Sequence, residues 1–364
     1  MSYRIRPASE QDNDAILALL QGTPQHGAVT LNFERQPDYF RGARVTCEKP
    51  DIWVAEPIGE QSGLGAIFNI GWRHLWVNGE VRWVRYAHDL RIAPASRNGM
   101  VLHRISRHIR KLLAEGEWMQ TTVLSDNEMS LSTVASGRAG LPVYYPAGTI
   151  ETSMLYTRAK ALRAPADVTI RQTGEADLPA IAALLNRVGK EKQFFPCWDV
   201  DRVRGDDYCF GLNPGNFLGL WVGQELKGVL GFWDQKSIKQ TRVLGYARGM
   251  GLMRHLYNSH SLIRGGMRLP APGGVLSYLT LHSVAVEDDN PELLRLLFDH
   301  AIGFFHGRYD ALVCGFFSQD PLAAVAARYR RRLLLSEHFL MSYDGDPRDQ
   351  LDNHRQWYVE VARL

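Results

Sequence analysis

Disulfide and metal chemistry are the first things this sequence does without. Its 364 residues hold four cysteines (Cys47, Cys197, Cys209, Cys314). None falls in a CxxC pair, and no histidines form an HExxH pair, so neither a disulfide scaffold nor a metal site is expected. Reduced, mostly buried thiols point to a cytoplasmic setting. No apolar run reaches the ~18 residues that span a bilayer. The opening MSYRIRPASEQDND lacks the apolar stretch of a signal peptide, so no membrane partner is expected. Charge of one sign is missing too. A net charge of +3 argues against nucleic acid as a partner. What is present is an ordinary globular composition, 45% hydrophobic and 22% charged, with length for two cores.

The chain begins twice. Ile5-Arg6, Glu10, Asp12, Ala15-Ile16 and Ala18-Leu19-Leu20 recur as Ile170-Arg171, Glu175, Asp177, Ala180-Ile181 and Ala183-Leu184-Leu185. The offset is constant, 170 − 5 = 165. Each copy reads as a strand, an acidic helix start and an apolar helical stripe. Two long copies mean one fold used twice rather than a solenoid. The boundary falls in the small, proline-containing stretch 159–167. It gives domains over 1–160 and 166–364.

Both halves continue alike. The first shows strands near 51–55, 65–70 and 83–92, an Asn78-Gly79 hairpin turn and an apolar-periodic helix over 100–113. A strand over 119–124, a short helix after Asn127 and closing strands over 143–156 follow. The second shows strands over 218–222, 228–233 and 276–286, a helix over 292–305 and a strand over 311–317. A helix over 321–329 and strands near 333–343 and 357–361 complete it. An insertion over 241–272, rich in Gly, Arg and Met, has no first-half counterpart of similar length.

This order resembles the GNAT superfamily of acyl-CoA-dependent N-acyltransferases. The residues that carry the resemblance are Leu90-Arg91-Ile92-Ala93-Pro94-Ala95-Ser96-Arg97-Asn98-Gly99-Met100-Val101-Leu102. The resemblance implies an α/β (α+β) fold class. It would comprise two tandem GNAT-like domains, each a mixed, mostly antiparallel twisted sheet flanked by helices. It also implies a coenzyme A site along Leu90, Arg91, Ile92, Arg97, Asn98, Gly99, Met100, Val101 and Leu102, with Asn127 contacting the donor. Free N–H groups and the dipole at a helix start attract a diphosphate. Arg97 stands where the family pattern has its basic residue. Met100 and Leu102 replace its two glycines. A second string, Arg248-Gly249-Met250-Gly251-Leu252-Met253, is closer to the family string letter by letter, and it stands as the alternative phosphate loop. It lies in the insertion, where it reads as substrate-facing or interdomain. The second-half turn Glu287-Asp288-Asp289 would repel a diphosphate, so that half is expected to bind no coenzyme.

Amine acylation by a thioester needs a base, a stabilised oxyanion and a proton for the departing thiolate. His88 and Tyr86 stand nine and eleven residues before Arg97. The arylalkylamine acetyltransferase branch has histidines at both spacings, so His88 is the expected base. In a regular strand Asp89 points to the opposite face, and a bulge would bring both to one side. A half-buried structural histidine is the alternative. Tyr145, with Tyr144, lies where the family keeps a proton donor, and strand packing is the alternative. Trp53, Trp72, Trp76 and Trp83 serve as acceptor-pocket walls or as core.

The expected function is transfer of an acetyl or other short acyl group from acetyl-CoA to an amine of a small molecule or peptide, without metal, by a monomer or homodimer. The runner-up is a non-catalytic coenzyme A or metabolite-binding regulatory protein on the same doubled fold. A transferase for longer acyl chains, by analogy with N-myristoyltransferase, is the third class.

Overall fold

The repeated opening folds the same way twice. In the computed structural model, residues 2–59, 63–97, 100–135, 137–159, 164–247 and 249–364 are described. Asn98, Gly99, Arg248 and the linker residues 160–163 lie outside them. Arg6 donates two hydrogen bonds of 2.8 Å to Asp12, and Arg171 does the same to Asp177. Each carboxylate also accepts the backbone N–H three residues earlier, from Ser9 at 2.8 Å and Gly174 at 2.9 Å. The repeat thus conserves a fork-to-carboxylate clamp that fastens a strand to the helix start it leads into.

The first half runs β1 (Ser2–Pro7), α1 (Asn13–Gln21), β2 (Val29–Glu34), α2 (Tyr39–Thr46), β3 (Ile52–Ile58), β4 (Ala66–Val77), β5 (Glu80–Ile92), α3 (Met100–Leu112), β6 (Trp118–Leu124), α4 (Glu128–Ala135) and β7 (Val143–Tyr156). The second runs β8 (Val168–Gln172), α5 (Leu178–Lys190), β9 (Lys192–Gln193), β10 (Phe217–Val222), β11 (Glu225–Trp233), β12 (Gln240–Tyr246), α6 (Met250–Arg264), β13 (Tyr278–Val286), α7 (Pro291–Phe304), β14 (Ala311–Phe317), α8 (Ala323–Ala327), β15 (Arg331–Ser342) and β16 (Gln356–Trp357).

Twelve of these strands form one sheet, ordered β1-β3-β4-β5-β6-β15-β7-β14-β13-β11-β10-β8. Read inward from each edge, the order is equivalent. Within this sheet the parallel pairs are β5/β6 and β13/β14, one per half. The last strand of each half has crossed over. β15 sits between β6 and β7, and β7 pairs with β14 and β15. The two halves therefore share one hydrogen-bonded sheet, and cutting the chain at the linker would strip each half of its closing strand. Helices cover both faces. α3 sets Val101, Ile105 and Ile109 against Phe68, Ile70 and Met119. α1 and α2 pack on Val54 and Ile67 from the other side.

The insertion takes a form the sequence did not announce. β12 pairs with β2 of the first half, and Arg242 bonds Glu34 at 2.9 Å across the pair. α6 follows, with Met253 and Leu256 exposed. α2 was not expected either; the eight residues YFRGARVT are too short for clear periodicity. The expected strand over 357–361 is confined to Gln356–Trp357, paired with Lys192–Gln193. The chain beyond it is fastened by side chains rather than by a ladder.

Candidate active site

Parallel β5 and β6 share three rungs, Arg85↔Met119, Tyr86↔Gln120 and Ala87↔Thr121. Thr121 closes the last by donating to the Ala87 carbonyl at 2.8 Å. Beyond it the strands diverge, because β6 continues along β15 while β5 follows β4. The divergence leaves one backbone edge of β5 without a strand partner from His88 to Ile92.

A bulge sits at that point. The β4/β5 register slips between Ile67↔Arg91 and Asn69↔His88, and Asp89 takes φ 53°. The kink turns the Asp89 side chain toward its neighbour, so that His88 Nδ1 lies 3.2 Å from Asp89 Oδ2. Tyr39 donates its hydroxyl to the same carboxylate at 3.3 Å, and Arg35 lies 3.6 Å from its other oxygen. Burial alone would raise the Asp89 carboxyl; Arg35 and His88 outweigh it and hold the group well below the usual carboxylate range. Burial lowers the His88 imidazole against the opposing pull of Asp89. The pair is therefore a neutral imidazole oriented by a carboxylate, the arrangement of a general base and its positioning group. His88 Nε2 faces the Cys47 sulfur at 3.7 Å, a weak partner that a stronger one can displace. Gly71 makes room for Cys47, since a β-carbon there would lie 2.7 Å from the cysteine's own.

The Tyr86 ring stacks on His88 with centroids 5.4 Å apart, and the Arg73 guanidinium lies over the Tyr86 ring, 3.6 Å from its centroid. Tyr86 opens onto a narrow cavity. Arg73, Gln120 and Phe194 line it beside Tyr208, His338 and the chain's final segment, Tyr358 to Leu364.

β5 ends with Leu90, Arg91 and Ile92, and a short turn, Pro94–Ser96, follows. Arg97 is exposed and bonds the Ile92 carbonyl through Nε at 3.4 Å. α3 begins at Met100 with no acidic residue in its first turn. Val101 is buried in the core, Leu102 is half-buried and Met100 is exposed. This end of the helix is compatible with an anion.

Other expected residues fall elsewhere. Asn127 accepts the Ser130 N–H at 3.1 Å and so caps α4. Tyr145 pairs with Leu340, which pairs with Gln120, the partner of Tyr86. Tyr145 is thus three strands from Tyr86, roughly 14 Å at ordinary strand spacing, and the structure does not bring it to His88. The competing string, from Gly249 on, opens α6 after β12, outside the large sheet. Trp72 and Trp83 line a separate groove, and Trp76 packs into the second-half core. Sequence reasoning missed Arg35, Arg73, Tyr208, His338, Glu360 and Arg363. Their signal is burial of polar groups, which no local pattern records.

The architecture is shared with solved acyltransferases. Saccharomyces cerevisiae N-myristoyltransferase with bound myristoyl-CoA is similar at TM-score 0.59 and 11% identity, over 95% of this chain and 84% of that one. A GCN5-related N-acetyltransferase from Sphaerobacter thermophilus gives 0.54 and 10%, over 97% and 98%. A GCN5-related glucosamine N-acetyltransferase region of a fungal multi-domain GH3 β-N-acetylglucosaminidase gives 0.59 and 9%, over 93% and 38%. No protein-family model and no curated protein matches the sequence. The chain has the GNAT fold in its two-domain size, and at these identities the likeness is one of fold.

Proposed function

We propose that this GNAT-fold chain is an N-acyltransferase that moves an acetyl or other short acyl group from coenzyme A to the amine of a small molecule or peptide. The observation that carries the reading is the open gap between β5 and β6, with the His88–Asp89 pair at its mouth. Unpaired backbone groups on β5 suit the amides of a pantetheine arm. Leu90, Arg91 and Ile92 would lie along that arm. Arg97 to Leu102, with Asn98 and Gly99, would meet the diphosphate, and Asn127 would sit beside the donor. The first half, 1–160, would hold the coenzyme, and the second, 166–364, would shape the acceptor side.

In the reaction the amine nitrogen attacks the thioester carbonyl. The C–N bond forms, the C–S bond breaks, and the amine proton passes to His88 directly or through a water. Asp89 keeps the imidazole oriented and stabilises its protonated form. The thiolate leaves and is protonated, giving an amide and free coenzyme A. Tyr86 is nearer to the gap than Tyr145 and is the better candidate to supply that proton. The reading includes a cytoplasmic setting, which the four unbridged cysteines suit.

Release of free thiol from acetyl-CoA, followed with a panel of amines, tests this. Amine-dependent release with one coenzyme A bound per chain is expected. Coenzyme binding without release on any amine would favour the non-catalytic regulatory alternative.

A further inference from the structure

We infer that the exposed face of α6 docks this chain on the surface of an anionic lipid bilayer. Met253, Leu256 and Tyr257 enter the lipid boundary, and the arginines around them meet the lipid phosphates. The inference stands apart from the acyltransferase reading: it concerns where the chain sits, not what it transfers.

The first ground is the helix itself. Met253, Leu256 and Tyr257 stand at i, i+3 and i+4, which places them on one helix face. They are 60%, 68% and 39% exposed. The anchors described for α6 are polar. Asn258 donates to the Leu269 carbonyl at 2.9 Å and accepts the Leu269 N–H at 2.8 Å. Ser261 is buried against Gly266, where a β-carbon would lie 2.8 Å from the serine hydroxyl. Tyr257 is hydrogen-bonded to Tyr156 at the end of β7. Apolar side chains exposed singly are ordinary, but three neighbours on one helix face mark an interaction surface.

The second ground is charge, and it selects the occupant. From Gln235 to Val286 the sequence holds no aspartate or glutamate, while Arg242, Arg248, Arg254, Arg264 and Arg268 fall within it. The chain's net charge of +3 conceals this local excess. Arginines from outside the helix add to it. A β-carbon on Gly265, directly after α6, would lie 3.9 Å from that of Arg158, an exposed residue. Burial and Tyr257 raise the Tyr156 hydroxyl, and Arg332 and Arg330 pull it down, so both guanidiniums lie around the residue that holds Tyr257. Arg242 and Arg268 are paired with Glu34 and Asp310. Among the described residues, none of Arg158, Arg254 and Arg332 has a carboxylate within 4.0 Å.

A second copy of this chain is a poor occupant. A two-fold interface sets a patch against itself, and these cations would then face one another. An anionic bilayer answers the apolar stripe and the charge together. Met and Leu enter the acyl boundary, a Tyr ring rests at headgroup level, and arginines reach the phosphates. α6 has 15 residues, and no described helix is long and apolar enough to cross a membrane. It therefore lies in the plane of the surface.

The test is co-sedimentation of the full chain with vesicles of phosphatidylcholine, with and without phosphatidylserine. Neither coenzyme nor amine is needed. Binding to the anionic vesicles should be at least ~10-fold tighter than to the neutral ones and should weaken as salt rises. Met253→Asp combined with Leu256→Asp should weaken it at least ~10-fold with the melting temperature unchanged, because both side chains are exposed. Arg158→Glu combined with Arg332→Glu should do the same at low salt, and that loss should shrink at high salt. No binding to anionic vesicles at low salt, equal binding to both compositions, or full binding by the folded Met253→Asp/Leu256→Asp chain overturns the inference. So does a wild-type dimer that Leu256→Asp converts to a monomer, since a second copy would then cover this face.

Discussion

The two halves build the same gap and treat it differently. β13 parts from β14 after the rung Thr280↔Val313, as β5 parts from β6. Both outgoing strands carry a bulge, with Asp89 at φ 53° and Ser283 at φ 49°. A histidine precedes each. His88 bonds Asp89, and His282 Nδ1 lies 3.0 Å from the Ser283 hydroxyl. In the second half the gap is filled by the chain itself. Glu360 accepts the Ser283 N–H, and a β-carbon on Gly315 of β14 would collide with Val361. The turns after the strands diverge too. The first leads through Arg97 to a helix start without acidic residues. The second is Glu287-Asp288-Asp289, tied down by Arg187, Lys227 and Lys192. A duplicated backbone device thus carries different side chains in its two copies. The difference lies in which side chain follows the histidine and in whether the gap stays empty.

The comparison breaks most decisively at the histidines. His88→Ala should lower turnover about 100-fold or more with coenzyme affinity nearly intact. His282→Ala should instead cost about 2–3 kcal/mol of stability, because its ring is packed among Trp198, Phe217 and Trp233. Equal kinetic damage from both would end the distinction. The pH profile sharpens it. Burial lowers the His88 pKa, and the neutral form is the base, so kcat/KM should rise with pH along a limb below about 6.5. That limb should vanish in His88→Ala.

Next in size is the plug. Gly315→Ala should displace Val361 and cost about 2 kcal/mol, read as a lower denaturation midpoint. An unchanged midpoint would mean that the final segment contributes little. At the phosphate end, Arg97→Glu should weaken coenzyme A binding tenfold or more, at least ~1.4 kcal/mol. Arg187→Glu at the corresponding end of the other half should leave it unchanged, with one coenzyme per chain in a titration.

The smallest contrast is between the paired clamps. The Asp12 side chain is 11% exposed against 16% for Asp177, and their arginines are 26% and 49% exposed. Asp12→Asn should therefore cost about 1 kcal/mol and Asp177→Asn less. The Arg6 hydrogen bonds, against burial, hold the Asp12 carboxyl at about 2. Its contribution is complete above the ordinary value of 3.8 and is lost as pH falls toward 2. Acid unfolding followed for both variants checks the order.

Much of this was legible in the residues. Arg6/Arg171 and Asp12/Asp177 stood out as a repeat because a local clamp leaves its mark at fixed spacing. Leu90 to Arg97 was legible as a strand end leading to a helix for the same reason. The bulge at Asp89 entered only as the arrangement that would bring His88 and Asp89 to one side, since nothing in Tyr-Ala-His-Asp-Leu fixes a left-handed aspartate. Tyr145 was placed by analogy, and the crossing of β7 and β15 carried it three strands away from Tyr86.

By itself the sequence determined the doubled fold, its element order and the histidine strand, because periodicity, turn residues and capping are short-range properties of neighbouring residues. Tertiary structure alone decided the exchange of closing strands, the filling of one gap by residues 358–364 and the burial of Arg73, Arg363, Tyr208 and His338 around one cavity. Those outcomes depend on long-range strand pairing and on desolvation, which belong to groups brought together from distant parts of the chain.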